Sequence, residues 1–216
     1  MARAAQRTTG TSRPIAERRS RERALVAALA LFEIQGVAGT TIEQVRDSAG
    51  ISIGSLYHHF GSRDGLVAAL YDDLLARYRA TITAELGSRE DARALLDGFV
   101  QAHIGWAVAN PSAARFLTEH RRDPAVARDD TRLQQGTADF LRPLLARLKP
   151  AVSAGSIRSL PPELLLSLVV GPVQSWLRLW LEGQTSLKPE TAAKRIADLV
   201  WAALAVSSTY PRRPKT

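Results

Sequence analysis

The chain has no cysteine among its 216 residues. Disulfides, thiolate metal sites and a cysteine nucleophile are therefore excluded, and a reducing cytoplasm is the expected location. No run of about 18 unbroken apolar residues marks a membrane span. No N-terminal apolar run resembles a signal peptide. No nucleophile–base pair, phosphate-binding glycine loop or metal-ligand spacing is present, so no enzyme activity, cofactor or metal is expected. The acid pairs Asp72–Asp73 and Asp129–Asp130 read as solvated helix faces. As neighbours, His58 and His59 point about 100° apart on a helix, so they cannot form the i, i+4 metal pair. Acidic residues are in deficit: 21 Asp and Glu face 29 Lys and Arg, for a formal charge of +8. A basic balance suits an acidic partner such as nucleic acid or an anionic membrane surface.

What is present is helical patterning and enough apolar residues, 45%, for a core. The most specific stretch runs T-T-I-E-Q-V-R-D-S-A-G-I-S-I-G-S-L-Y-H-H-F-G-S-R from Thr40 to Arg63. Thr40 is placed to cap a first helix, with Glu43 three residues on to complete a capping box. Ile42, Val45 and Ala49 share one side of it. Gly50 falls where a left-handed backbone ends a helix. Ser52 is the expected cap of the second helix. Ile53, Leu56 and Phe60 follow the helical period. Leu56 and Phe60 are expected to face the core, and Ile53 to be partly exposed. Gly54, Ser55, Tyr57, His58 and His59 then form an outer face near a helix N-terminus, where free N–H groups suit phosphate. Gly54 lets the backbone approach a duplex. Ser55 suits base edges. Tyr57 offers a hydroxyl to phosphate and a ring to a thymine methyl. Arg63 adds a cation. Helix, tight turn and polar second helix together spell a helix-turn-helix.

From about Arg18 to Tyr78 the chain resembles the DNA-binding domain of the tetracycline-repressor (TetR) family of transcription regulators. The matching words are A-L-x-L-F-x-x-x-G at Ala28 to Gly36, T-T-I-E-Q-V at Thr40 to Val45, A-G-I-S-I-G-S-L-Y-H-H-F at Ala49 to Phe60, and G-S-R-D-G-L at Gly61 to Leu66. The resemblance implies phosphate contacts from Thr41, Ser52, Tyr57, His59 and Arg63. It implies base-proximal positions for Ile53, Gly54, Ser55 and His58. Many members carry Lys where this chain has Ile53, which supplies no charge; an apolar contact to a thymine methyl is the alternative. Beyond the head, the resemblance covers architecture alone.

The expected fold is all-α with about nine helices: a three-helix DNA-binding head and a C-terminal ligand-binding and dimerisation domain. The expected divisions are a basic arm at 1–16, the head at 17–77 with its motif at about 40–60, the second domain at 78–208 and a tail at 209–216. Arg3, Arg7, Arg13, Arg18, Arg19, Arg21 and Arg23 crowd the start of the chain, opposed only by Glu17 and Glu22, and an arm there suits a duplex backbone or minor groove. A solvated tail is the alternative. A first helix should run from Pro14 or Ala16 to Gln35, closed by Gly36. A long helix from Ser62 to about Leu86 is suited to act as a lever. Ser88 with Asp91 signals the next cap. Helices are expected at 91–110, 112–120, 125–148 with a kink at Pro143, 161–182 and 189–207, with a loop at 149–160.

The last two helices are apolar on more than one side and so need two partners. In the resembling family such helices form a four-helix dimer interface. The candidates here are Leu165, Leu168, Val169, Trp176, Leu179, Ile196, Leu199, Ala203 and Val206. Burial within one large monomeric core is the other reading. Candidates for a small-molecule pocket are Tyr78, Phe99, His103, Trp106, Phe116, His120, Phe140, Trp176 and Trp180. Core packing accounts for each of them singly. The expected function is a homodimeric repressor that binds a palindromic DNA operator, without a membrane partner, and is released by a small apolar ligand. A DNA-binding architectural or partner-recruiting protein without a ligand is the alternative.

Overall fold

The computed structural model describes residues 12–87, 89 and 91–206. The basic arm before residue 12, Ser88 and the tail from 207 lie outside the described residues. The chain divides into two compact units: Met1–Leu74 with Glu119–Arg128, and Leu75–Thr118 with Asp129–Thr216. The described residues form ten helices.

In the first unit, α1 (Ser12–Gly39) packs on α2 (Ile42–Ala49) and α3 (Ile53–Phe60). Gly36 leaves the helical region at φ 73, ψ 164, which breaks the regular helix where its glycine predicts. The cap of α2 differs from expectation by one residue. Thr41, not Thr40, is the N-cap, and it pairs reciprocally with Gln44. Thr40 is 3% exposed and donates its hydroxyl to the Gly36 carbonyl at 2.8 Å. T-T-I-E-Q allows two overlapping capping boxes. Burial of Thr40 against the end of α1 selects the second, because a buried hydroxyl must find a partner.

Gly50 closes α2 at φ 61, ψ 44. Ser52 opens α3, its hydroxyl accepting from the Ser55 N–H at 3.1 Å. Ile42, Val45, Ala49, Leu56 and Phe60 are buried, as the spacing predicts. The long helix α4 (Arg63–Leu86) starts one residue after Ser62, which caps it through the Gly65 N–H at 3.0 Å. The short α7 (Pro124–Ala127) also belongs to this unit, with Val126 buried and Arg128 paired to Asp64.

In the second unit, α5 (Ala92–Ala109) packs against α8 (Asp130–Ser153), α9 (Pro162–Leu181) and α10 (Pro189–Leu204). Asp91 caps α5 through the Ala94 N–H at 2.7 Å. The helix α6 (Pro111–Glu119) follows directly. The single helix expected over 125–148 is two, α7 and α8. Asp129 leaves helical geometry and caps a new start through the Arg132 N–H at 3.0 Å. The helix α8 continues through Pro143 and Pro150 to Ser153, which shortens the expected loop. Hydrogen bonds from Arg158 N to Leu204 O at 2.8 Å and from Val206 N to Ser156 O at 3.0 Å tie that loop to the end of α10.

Gly65 is a steric requirement of the head. A Cβ there would sit 1.9 Å from the Phe60 carbonyl oxygen. Gly65→Ala is expected to destabilise the protein by about 1–3 kcal/mol through backbone displacement at the α3–α4 turn. Urea unfolding measures this; a variant as stable as wild type contradicts the tight approach.

Candidate nucleic-acid interface

The head presents α3 with one side sealed and the other open. Leu56 is 1% exposed and Phe60 8%. On the opposite side Ser52, Gly54 and His58 are exposed, Tyr57 is 49% exposed, Ile53 is 38% exposed, and Ser55 is half-buried. Thr41 is exposed at the start of α2, but its hydroxyl already accepts from the Gln44 N–H at 3.2 Å. A hydroxyl capping its own helix keeps a lone pair and its proton for a further contact.

Two sequence-nominated residues are placed differently. His59 is half-buried, and its Nε2 lies 2.7 Å from the Ser20 hydroxyl on α1. That hydroxyl donates to the Glu17 carbonyl at 2.8 Å, so the His59 Nε2–H is the donor of the pair. Burial, then the neighbouring His58, lower the His59 pKa and favour the neutral ring. The imidazole therefore ties α3 to α1 and is not a free phosphate contact. Arg63 is also turned in. Its Nε and Nη2 lack solvent access and find no hydrogen-bond partner among the described residues. The placement of His59 is not readable from helical period, because it depends on Ser20 of α1.

Arg23, on α1, also reaches the motif. Its Nη1 lies 3.8 Å from where a Cβ on Gly50 would stand. Arg21 lies over the Phe60 ring at 6.0 Å and pairs with Asp73 at 3.7 Å. The first therefore brings a cation to the turn, and the second braces the core of the head. Gln35 donates to Gln44 at 2.9 Å, extending the α2 cap back to α1.

The pocket candidates of the second unit assemble in part. Tyr78 lies 5.0 Å from His103, 5.2 Å from Trp106 and 5.9 Å from Phe140, by ring centroids. Phe99 meets His103 edge-on at 5.8 Å. Trp176 stacks with Trp180 at 6.2 Å, and its buried Nε1 has no partner among the described residues. Phe116 is buried on α6. His120 lies in the first unit, 3.4 Å from Asp123. Two open grooves lie among the described residues of the second unit. One of about 520 Å³ between α5 and α10 is flanked by Arg93, Asp97 and Asp198. One of about 580 Å³ between α4 and α5 has Trp106 as its sole aromatic wall.

The dimer candidates fall into two sets. Leu165, Val169, Trp176 and Ile196 are buried within the subunit and unavailable to a partner. Leu168, Leu179, Leu199, Ala203 and Val206 are exposed, as is Leu164, which the sequence reading passed over. The apolar faces were legible, but which face packs inward depends on the approach of α5.

His103 carries a pH consequence. It is 7% exposed, and burial lowers its pKa to about 4 from 6.5. The unfolded chain takes up this proton first as pH falls. Stability is therefore lost between pH 6.5 and about 4, by roughly 3 kcal/mol in total. In His103→Phe this loss should shrink, as read from urea midpoints across that range. An identical acid limb in the variant contradicts the buried neutral ring.

Residues 24–70 match the family described as bacterial regulatory proteins, tetR family. The chain is 29% identical over 184 residues to the HTH-type transcriptional repressor KstR2 of Rhodococcus jostii, covering 82% of this chain and 87% of that one. A TetR family transcription regulator from Marinobacter aquaeolei has the same fold, with a TM-score of 0.74 at 17% identity over 89% of this chain and 98% of that one. So does FadR from Bacillus subtilis, solved in complex with stearoyl-CoA, at a TM-score of 0.73 and 13% identity over 84% and 98% of the two chains. These relatives are regulators, not enzymes. The chain is a DNA-binding transcriptional regulator whose head resembles that of the tetR family, with its helix-turn-helix at Ile42–Phe60.

Proposed function

We propose that the protein is a repressor that binds a palindromic operator as a homodimer and is released by a small, largely apolar effector. The observation that carries this is α3, which buries Leu56 and Phe60 and leaves Ser52, Gly54, Tyr57 and His58 open. In this reading Ser55 and Gly54 lie nearest base edges. Tyr57, Ser52 and Thr41 hold phosphates, and Ile53 meets a thymine methyl. The action takes place in the bacterial cytoplasm, where the chromosome lies.

The dimer reading rests on α9. Its mean hydropathy is 1.4, yet 28% of that window is buried within the subunit. By length and composition it could cross a membrane. However, Glu163 and Arg178 stand on it, and its exposed leucines 164, 168 and 179 follow one stripe. Leu199, Ala203 and Val206 continue an exposed apolar face on α10. A second copy would cover both faces and set two α3 helices for half-sites about 34–36 Å apart. The effector reading rests on the ring cluster of the second unit. A ligand that prefers one arrangement of that cluster can act on the head through α4, which is continuous from Arg63 to Leu86. A coupling of about 1–3 kcal/mol weakens operator binding roughly 5–150-fold.

An operator selected from random duplexes, titrated at several salt concentrations, tests the interface. Ser55→Ala with Tyr57→Phe should weaken binding about tenfold or more without changing the unfolding midpoint. Ile53→Lys should tighten binding and steepen the log–log salt slope by about one. Unchanged affinity in both variants removes α3 from the interface. Gel filtration of Leu168→Glu with Leu199→Glu should give a monomer where wild type is a dimer; an unaltered elution volume contradicts the pairing surface. Operator release across a panel of apolar compounds tests the effector, and no release by any of them contradicts that part.

A further inference from the structure

The ring cluster contains a polar atom that nothing in the chain uses. Nδ1 of His103 has no solvent access and no hydrogen-bond partner among the described residues. Aromatic rings stand against it, Tyr78 at 5.0 Å and Phe99 at 5.8 Å by centroids. Burial alone holds its proton affinity down, with no charged neighbour contributing. A buried polar atom without a partner is destabilising, so an occupant that meets it recovers that cost.

Access is suggested by the groove between α4 and α5. It has a volume of about 580 Å³ and is lined by Trp106, Ala102 and Gly105 on α5, with Arg77, Glu85 and Arg89 as its charged groups. A Cβ on Gly105 would meet nothing within 4 Å, so there is room beside the indole. Trp106 packs edge-on against Tyr78 at 5.2 Å, and Tyr78 in turn leans on His103. Ring contacts through Tyr78 thus link Trp106, which lines the groove, to the imidazole.

We infer that the effector is a neutral ring compound bearing a hydroxyl, which passes Trp106 and hydrogen-bonds to Nδ1 of His103. This rests on the effector-responsive reading above. The chemistry selects the class by elimination. A hydrocarbon leaves Nδ1 unsatisfied. A carboxylate or ammonium loses its hydration and finds no counter-charge beside the imidazole. A hydroxyl both donates and accepts, so it satisfies either tautomer of a neutral histidine.

Three probes of one ring shape separate these cases: naphthalene, 1-naphthol and 1-naphthoate, titrated onto the full chain near neutral pH by tryptophan fluorescence. 1-Naphthol should bind about tenfold tighter than either of the others. His103→Phe should lose that preference while still binding naphthalene and keeping the wild-type circular dichroism. Trp106→Ala, tested separately, should speed 1-naphthol association. Equal or tighter binding of 1-naphthoate, a preference that survives His103→Phe, unchanged association in Trp106→Ala, or no binding of any probe overturns the inference. If another compound releases the operator while 1-naphthol does not, this assignment falls and effector-controlled repression stands.

Discussion

A helix of eight residues has too few internal hydrogen bonds to persist alone in water. The helix α3 is that short, and it is held by the burial of Leu56 and Phe60 against the rest of the head. Everything offered to a duplex follows from this packing. With those two side chains inside, Tyr57 and His58 between them face outward. Ser52 fixes where the helix starts, and Gly50 fixes the direction of the chain before it. Gly65 then allows the start of α4 to come against the carbonyl end of α3. Each of these devices acts on the rotation of α3 about its axis, which decides which side chains can reach base edges.

The same packing explains which parts of the motif were legible. Gly50, Ser52, Leu56 and Phe60 obey local rules of capping and period, and local rules suffice for them. Thr40 and Thr41 do not differ by any local rule, because each has a suitable partner three residues on. The difference lies in the end of α1, which takes the Thr40 hydroxyl at the Gly36 carbonyl. His59 is placed by a related cause: it meets Ser20, 39 residues away in sequence. A pattern read along one helix cannot register a partner on another.

The second unit shows the same division on a larger scale. The apolar stripe of α5 was readable and is buried from Leu95 to Ala107. The break at Asp129 was hidden because adjacent acids suit a solvated helix face as well as a cap. The helices α9 and α10 carry apolar residues on both sides, so period alone could not say which side faces α5. Aromatic content likewise nominated a pocket without saying which rings meet. Tyr78, Phe99, His103, Trp106 and Phe140 do.

The account turns on the open side of α3 being the surface that meets a duplex. Amide hydrogen exchange of the full chain, alone and with a selected operator, addresses this residue by residue. Slowed exchange centred on Ser52 to His58 on adding the operator is the predicted result. Unchanged exchange there, with protection appearing on another surface instead, would contradict it.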